Sequence, residues 1–97
     1  MKNESSPFFS VIIPCYNVAE SLHPTFECLT SQSFKDFEVI FVNDGSIDST
    51  QDLLESFSLS QKIVIINQHN KGLGAARNVG IKASSGKFIA LLDADDV

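Results

Sequence analysis

The densest chemistry in this 97-residue chain lies in KFIALLDADDV, where an apolar run gives way to three carboxylates, Asp93, Asp95 and Asp96, within four positions. Ionised carboxylates set this close repel and raise one another's pKa. A divalent cation resolves the conflict, because Mg2+ and Mn2+ take oxygen ligands and typically bind one or two carboxylates together with substrate phosphates. Asp93 and Asp95 are therefore candidate ligands for Mn2+ or Mg2+, bridging the metal to a diphosphate. A solvated acidic tail is the commoner fate of charge runs. It fits poorly here, since the acids follow IALL directly and not a polar loop.

Upstream, NKGLGAARN offers backbone N–H groups at a helix start, with Lys71 and Arg77 close by. Such a start is a ready seat for an anion. Gly72 and Gly74 also give G-x-G with an acid about twenty residues further on, nearly a dinucleotide fingerprint, which makes an NAD(P)-type oxidoreductase the rival reading. Against it, Arg77 occupies the third glycine position and the motif falls on the third strand, not the first. Two further stretches, PCYN (14–17) and NDGS (43–46), are rich in residues that dominate turns for backbone reasons alone. They gain meaning only if the fold brings them to one rim.

The elements that would do so are legible. FFSVII (8–13), FEVIFV (37–42), KIVII (62–66) and KFIALL (87–92) are short, continuous apolar runs, as strands buried on both faces are. Val18, Leu22, Phe26 and Leu29 recur at helical steps, with Pro24 expected in the first turn, where a missing N–H costs little. Asp48 and Gln51, ahead of Leu53, Leu54 and Phe57, predict a second helix closed by a capping box. A third runs from Leu73 to Ala83. The order βαβαβαβ predicts an α/β fold with an open parallel sheet and helices on both faces. Ligands of such sheets sit outside the carboxyl ends of the strands, where PCYN, NDGS, NQHNKGLGAARN and DADD all fall.

Composition narrows the partners. Seven Lys and Arg against twelve Asp and Glu leave a net charge of −5, which excludes the clustered basic surface that phosphate-backbone binding needs. No apolar stretch approaches a membrane span, and MKNESSPFF lacks the basic flank and apolar core of a secretory leader. Cys15 and Cys28 form neither a disulfide framework nor a metal spacing, which suits a reducing compartment, so a cytoplasmic setting is expected.

With SVIIPCYN, FEVIFVNDGSIDST and NKGLGAARNVGIKASSGKFIALLDADD in this order, the chain resembles the amino-terminal, nucleotide-sugar-binding half of the family-2 glycosyltransferases, which have the GT-A fold. The resemblance implies strand order 3-2-1-4. It also implies roles: Pro14 and Tyr16 flanking the base, with Asn17 shaping the turn; Asp44 accepting a ring N–H, as uracil, thymine and guanine present; Arg77, and less strongly Lys71, holding the phosphates. Asp93 and Asp95 match the D-x-D motif, with Asp93 expected nearer the ribose and Asp95 on the metal, and Asp96 resembles an acid that often follows. Cys15 stands at a variable position and carries no reaction.

The reaction implied is transfer of a sugar from a nucleotide-diphosphate donor, a UDP-sugar, to an acceptor hydroxyl with inversion, in polysaccharide biosynthesis. The family's catalytic base lies in a later segment, so none is expected here. Residues 1–7 are expected to be a flexible tail and residues 8–97 the donor-binding part, truncated at its carboxyl end and inactive alone. The glycan or lipid-linked acceptor would be engaged by the missing part, and KFIALL would form an exposed edge through which chains associate. A non-catalytic nucleotide-binding module on the same fold is the remaining alternative.

Overall fold

Runs of Val, Ile and Phe that cannot be solvated on either side take the middle of a sheet. In the computed structural model, which describes residues 6–94, β1 (Phe9–Cys15), β2 (Phe37–Asp44), β3 (Ile63–Gln68) and β4 (Phe88–Leu91) alternate with α1 (Ala19–Thr30), α2 (Thr50–Ser56) and α3 (Leu73–Ala83). All three strand pairings are parallel and the order is β3-β2-β1-β4. The register sets Phe9 beside both Phe37 and Phe88 at one end, and Asp44 beside Gln68 at the other. The expected α/β architecture and strand order are those observed.

The pleat sorts the central strands into two cores. Ile13, Val39 and Phe41 point to one face and pack with Leu22, Leu29 and Leu54 of α1 and α2. Phe26 and Phe57 stack there at 4.1 Å, edge-on to Phe41. Ile12, Ile40 and Val42 point to the other face, against Ala76 and Val79 of α3. The close seat of α3 depends on Gly80, where an added Cβ would lie 2.4 Å from Ile12 Cγ2.

Several local expectations are corrected. The strands run further into polar sequence than their apolar runs suggest: β1 reaches Cys15, β2 reaches Asp44 and β3 reaches Gln68. Asp44 is thus the last strand residue and not part of a turn. Pro24 lies in the interior of α1, because the helix begins at Ala19 and not just ahead of the proline. The early start is held from outside the helix: Val18 N donates to Thr50 Oγ1 at 3.0 Å and Ala19 N to Asp48 Oδ2 at 3.2 Å. No capping box closes α2. Asp48 Oδ1 accepts from Thr50 N at 2.9 Å, while Gln51 bonds Asn43 and Glu55 instead of reaching back.

The strands also differ in cover. Every residue of β2 is buried, as a strand with both faces packed should be. In β4, an edge paired only with β1 among the described residues, Phe88 and Leu91 are 54% and 53% exposed. Reading β4 as covered on both faces is therefore corrected among the described residues. The tail expected over residues 1–7 falls mostly on residues outside those described, although the Pro7 carbonyl accepts Lys87 N at 3.1 Å. No helix among the described residues is long and apolar enough to cross a membrane.

Candidate functional site

Parallel strands that all end on one side bring the residues after them to a common rim. At this rim Pro14, Cys15 and Tyr16 from the end of β1, Asp44 from β2, and Asn70, Gly72, Leu73 and Ala76 from the β3–α3 turn line a recess of about 190 Å³. Tyr16 is half exposed. A wider depression of about 870 Å³ lies between α1 and the end of α2, around His23, Phe26 and Phe57. It lies away from the rim that the polar loops form, so size alone does not choose the site.

Asp44 organises the recess. It is 3% exposed, and its carboxylate accepts from Gln68 Nε2 and Lys71 N on Oδ1, both at 2.8 Å, and from Gly72 N on Oδ2 at 2.9 Å. Asn70 Nδ2 adds a bond to its main-chain carbonyl at 3.1 Å. Burial alone would raise the carboxyl's pKa, but the bonds from Gln68, Lys71 and Gly72 and the Lys71 charge outweigh it and hold the group below its ordinary value. The backbone conforms to this grip: Gly45 and Gly72 have φ of 78° and 97°, and a Cβ on Gly45 would lie 2.7 Å from Asn70 N. The anion seat expected ahead of α3 therefore has two of its N–H groups directed at the chain's own Asp44.

Asn17 shapes the neighbouring turn. With φ of 52°, it accepts Ile47 N on Oδ1 at 2.8 Å and gives its own N–H to Ser46 Oγ at 2.9 Å. The turn after β1 is so tied to the turn after β2. Asp48 works alongside, and although burial would raise its pKa, its bonds with Thr50 and Ala19 keep it low. Burial pushes the Cys15 thiol up to about 12, which suits a packing residue and not a nucleophile.

On the other side of the rim, Arg77 in α3 reaches the end of β4. Its Nη2 lies 3.2 Å from Asp93 Oδ1, with each side chain about a third exposed. Arg77 Nε is buried with no hydrogen-bond partner among the described residues. Asp95 and Asp96 lie outside the described residues, so of the D-x-D pair the structure describes Asp93. No group of three His, Cys, Asp or Glu side chains gathers for a metal among the described residues. Asp93 nevertheless has the oxygen chemistry that Mg2+ and Mn2+ take, and these ions commonly complete their shells from substrate phosphates. The site is thus compatible with a cation held jointly by protein and ligand.

The residues named from the sequence divide accordingly. Pro14, Tyr16 and Asp44 meet in one recess, Asn17 braces its wall, and Arg77 meets Asp93. Lys71 contributes its main-chain N–H, with an exposed side chain. Gln68 and Asn70 stood unremarked within NQHNKGLG, because their link to Asp44 depends on strand register.

Comparison with known proteins identifies the family of the chain. The sequence profile described as "Glycosyl transferase family 2" matches residues 10–97. The chain belongs to this family. It is 39% identical over 92 residues to "Putative glycosyltransferase EpsH" of Bacillus subtilis, covering 94% of this chain and 27% of that protein. It is 39% identical over 87 residues to "UDP-Glc:alpha-D-GlcNAc-diphosphoundecaprenol beta-1,3-glucosyltransferase WfaP" of Escherichia coli, covering 90% and 35% respectively. Among solved structures, S. aureus TarS 1–349 in complex with UDP-GlcNAc superposes with a TM-score of 0.84 at 33% identity, over 90% of this chain and 26% of that one. Mannosyltransferase PcManGT from Pyrobaculum calidifontis, in complex with GDP-Man and Mn2+, gives a TM-score of 0.79 over 97% and 29% of the two chains, and its 20% identity speaks for the fold alone. This family-2 chain thus has the architecture of a GT-A amino-terminal half and spans about a quarter to a third of the length of these relatives.

Proposed function

We propose that this chain binds the nucleotide-sugar donor, a UDP-sugar, of a glycosyltransferase that passes the sugar to an acceptor hydroxyl with inversion. The observation that carries the proposal is the recess where Tyr16, Asp44 and Gly72 converge, beside the Arg77–Asp93 pair. The half-exposed Tyr16 ring offers a stacking face, with Pro14 on the adjoining wall. Asp44 is held ionised, and an ionised carboxylate only accepts, which suits a ring N–H of the base. Arg77 and the exposed Lys71 supply positive charge for the phosphates, with Asp93 nearer the ribose.

Asp93 and Asp95 are the residues proposed to hold Mn2+ or Mg2+, and Asp96 has no assigned part. When bound, the cation supplies positive charge opposite the departing diphosphate. Inversion calls for a base that takes the acceptor's proton as the bond to the anomeric carbon forms. None of the residues assigned here has that task, so the base and the pocket for a glycan or lipid-linked acceptor are proposed to lie outside residues 6–94. A cytoplasmic role in polysaccharide biosynthesis, and no transfer by these 97 residues alone, complete the proposal.

Titration calorimetry of UDP against the chain, with and without Mn2+, tests it. We expect affinity to rise with Mn2+ and Asp95→Asn to abolish that rise while leaving metal-free binding unchanged. An equal Mn2+ response in the variant would remove Asp95 from the metal site.

A further inference from the structure

We propose that Gln68 is a positioning residue for base recognition, holding the Asp44 carboxylate so that Oδ2 keeps a vacant acceptor site at the wall of the recess. The proposal rests on reading the recess as the site of the nucleotide base. An ionised carboxylate offers about four acceptor places over its two oxygens. Asp44 Oδ1 carries two hydrogen bonds, from Gln68 Nε2 and Lys71 N, whereas Oδ2 carries one, from Gly72 N. The less occupied oxygen is Oδ2, and Asp44 and Gly72 both belong to the recess wall.

Gln68 differs from the other two donors in where it is anchored. Lys71 and Gly72 belong to the turn before α3, and they follow any movement of that turn. Gln68 is the last residue of β3 and stands opposite Asp44 in the β2–β3 ladder, so its bond refers the carboxylate to the sheet. The amide must present its NH2, since the carboxylate has nothing to donate. A neutral donor also fixes the carboxylate without cancelling its charge, as a lysine or arginine would. Gln68 thus adds no positive charge of its own to offset the carboxylate. A base that presents an acceptor at the same point, as cytosine does, would face a carboxylate that can neither turn away nor donate.

The test is base discrimination, which a merely supporting residue would not alter. The dissociation constants of UDP and CDP are measured for the full chain and for Gln68→Met, which keeps length and removes the donor, with Gln68→Leu as a second apolar variant. Thermal unfolding confirms that each variant is folded. We expect the wild-type chain to prefer UDP, and both variants to lose about tenfold of that preference, the scale of one hydrogen bond to a charged group. Weaker binding of both nucleotides by one common factor, with the preference kept, would overturn the positioning role and leave the donor-site reading standing. A wild-type chain that binds UDP and CDP alike, or neither, would overturn both.

Discussion

The two ends of β2 carry two carboxylates that look equivalent until their surroundings are compared. Glu38, near the amino end, is 2% exposed, and its Oε2 accepts from Ser10 Oγ at 2.6 Å, Ser85 N at 2.7 Å and Ser85 Oγ at 3.0 Å. Asp44, at the carboxyl end, is 3% exposed and likewise accepts three donors. Burial would raise both pKa values, and in both cases the hydrogen bonds and a nearby lysine, Lys62 or Lys71, bring them below the ordinary value. Each carboxylate pins a turn beside α3. Glu38 pins the one that leaves the helix and Asp44 the one that enters it. Burial, bonding and a shifted pKa therefore do not mark function. Position separates them: Asp44 stands at the carboxyl end of a parallel sheet, where ligand-binding turns converge, whereas Glu38 stands at the amino end, beside a depression of about 510 Å³ bounded by Lys35, Lys62 and Ser85.

The strongest way to break this contrast is Glu38→Ala. It leaves the buried Ser10 O–H and Ser85 N without their acceptor, which should cost about 2–3 kcal/mol of stability, although Ser10 Oγ keeps the bond from Gly86 N. Chemical denaturation measures the loss, and the ratio of UDP to CDP affinity should not change. A shift in that ratio would mean that the two ends are coupled. Asp44→Ala should do the reverse in emphasis, weakening UDP binding about tenfold or more for a lost hydrogen bond to a charged group. Some stability should go with it, because Gln68 Nε2, Lys71 N and Gly72 N lose their acceptor. Calorimetry showing unchanged UDP affinity would reduce Asp44 to a turn-holding residue like Glu38.

The smallest effect is in pH. Both carboxyls have folded pKa values below their unfolded ones, so the stability they contribute is complete above the ordinary carboxylate range and is lost as pH falls through their folded values. Unfolding free energy should decline below about pH 5. In Glu38→Gln the decline should be shallower, while the acid loss of UDP binding keeps the wild-type profile. An acid profile of stability unchanged by Glu38→Gln would show that this carboxyl contributes nothing through its ionisation.

The sequence by itself determined the order of elements, the parallel sheet and the rim on which its polar turns gather. Apolar runs of strand length between helical periodicities admit few other arrangements, and polar residues after every strand mark one rim. It also named Tyr16, Asp44, Arg77 and Asp93 as candidates, since they stand in motifs that resemble the family's. Tertiary structure alone decided what those residues touch. Register placed Gln68 opposite Asp44, and the turn before α3 delivered two amides to that carboxylate, so an apparent anion seat became an internal one. Glu38 falls inside a run read as buried on both faces, but the partners that make its burial tolerable, Ser10 on the adjacent strand and Ser85, 47 residues away, are brought to it only by the fold. The limits of the strands were hidden for the same reason. Asn43, Asp44, Asn67 and Gln68 are polar, yet the ladder continues through them because pairing depends on the neighbouring strand's backbone, which no local pattern of side chains encodes.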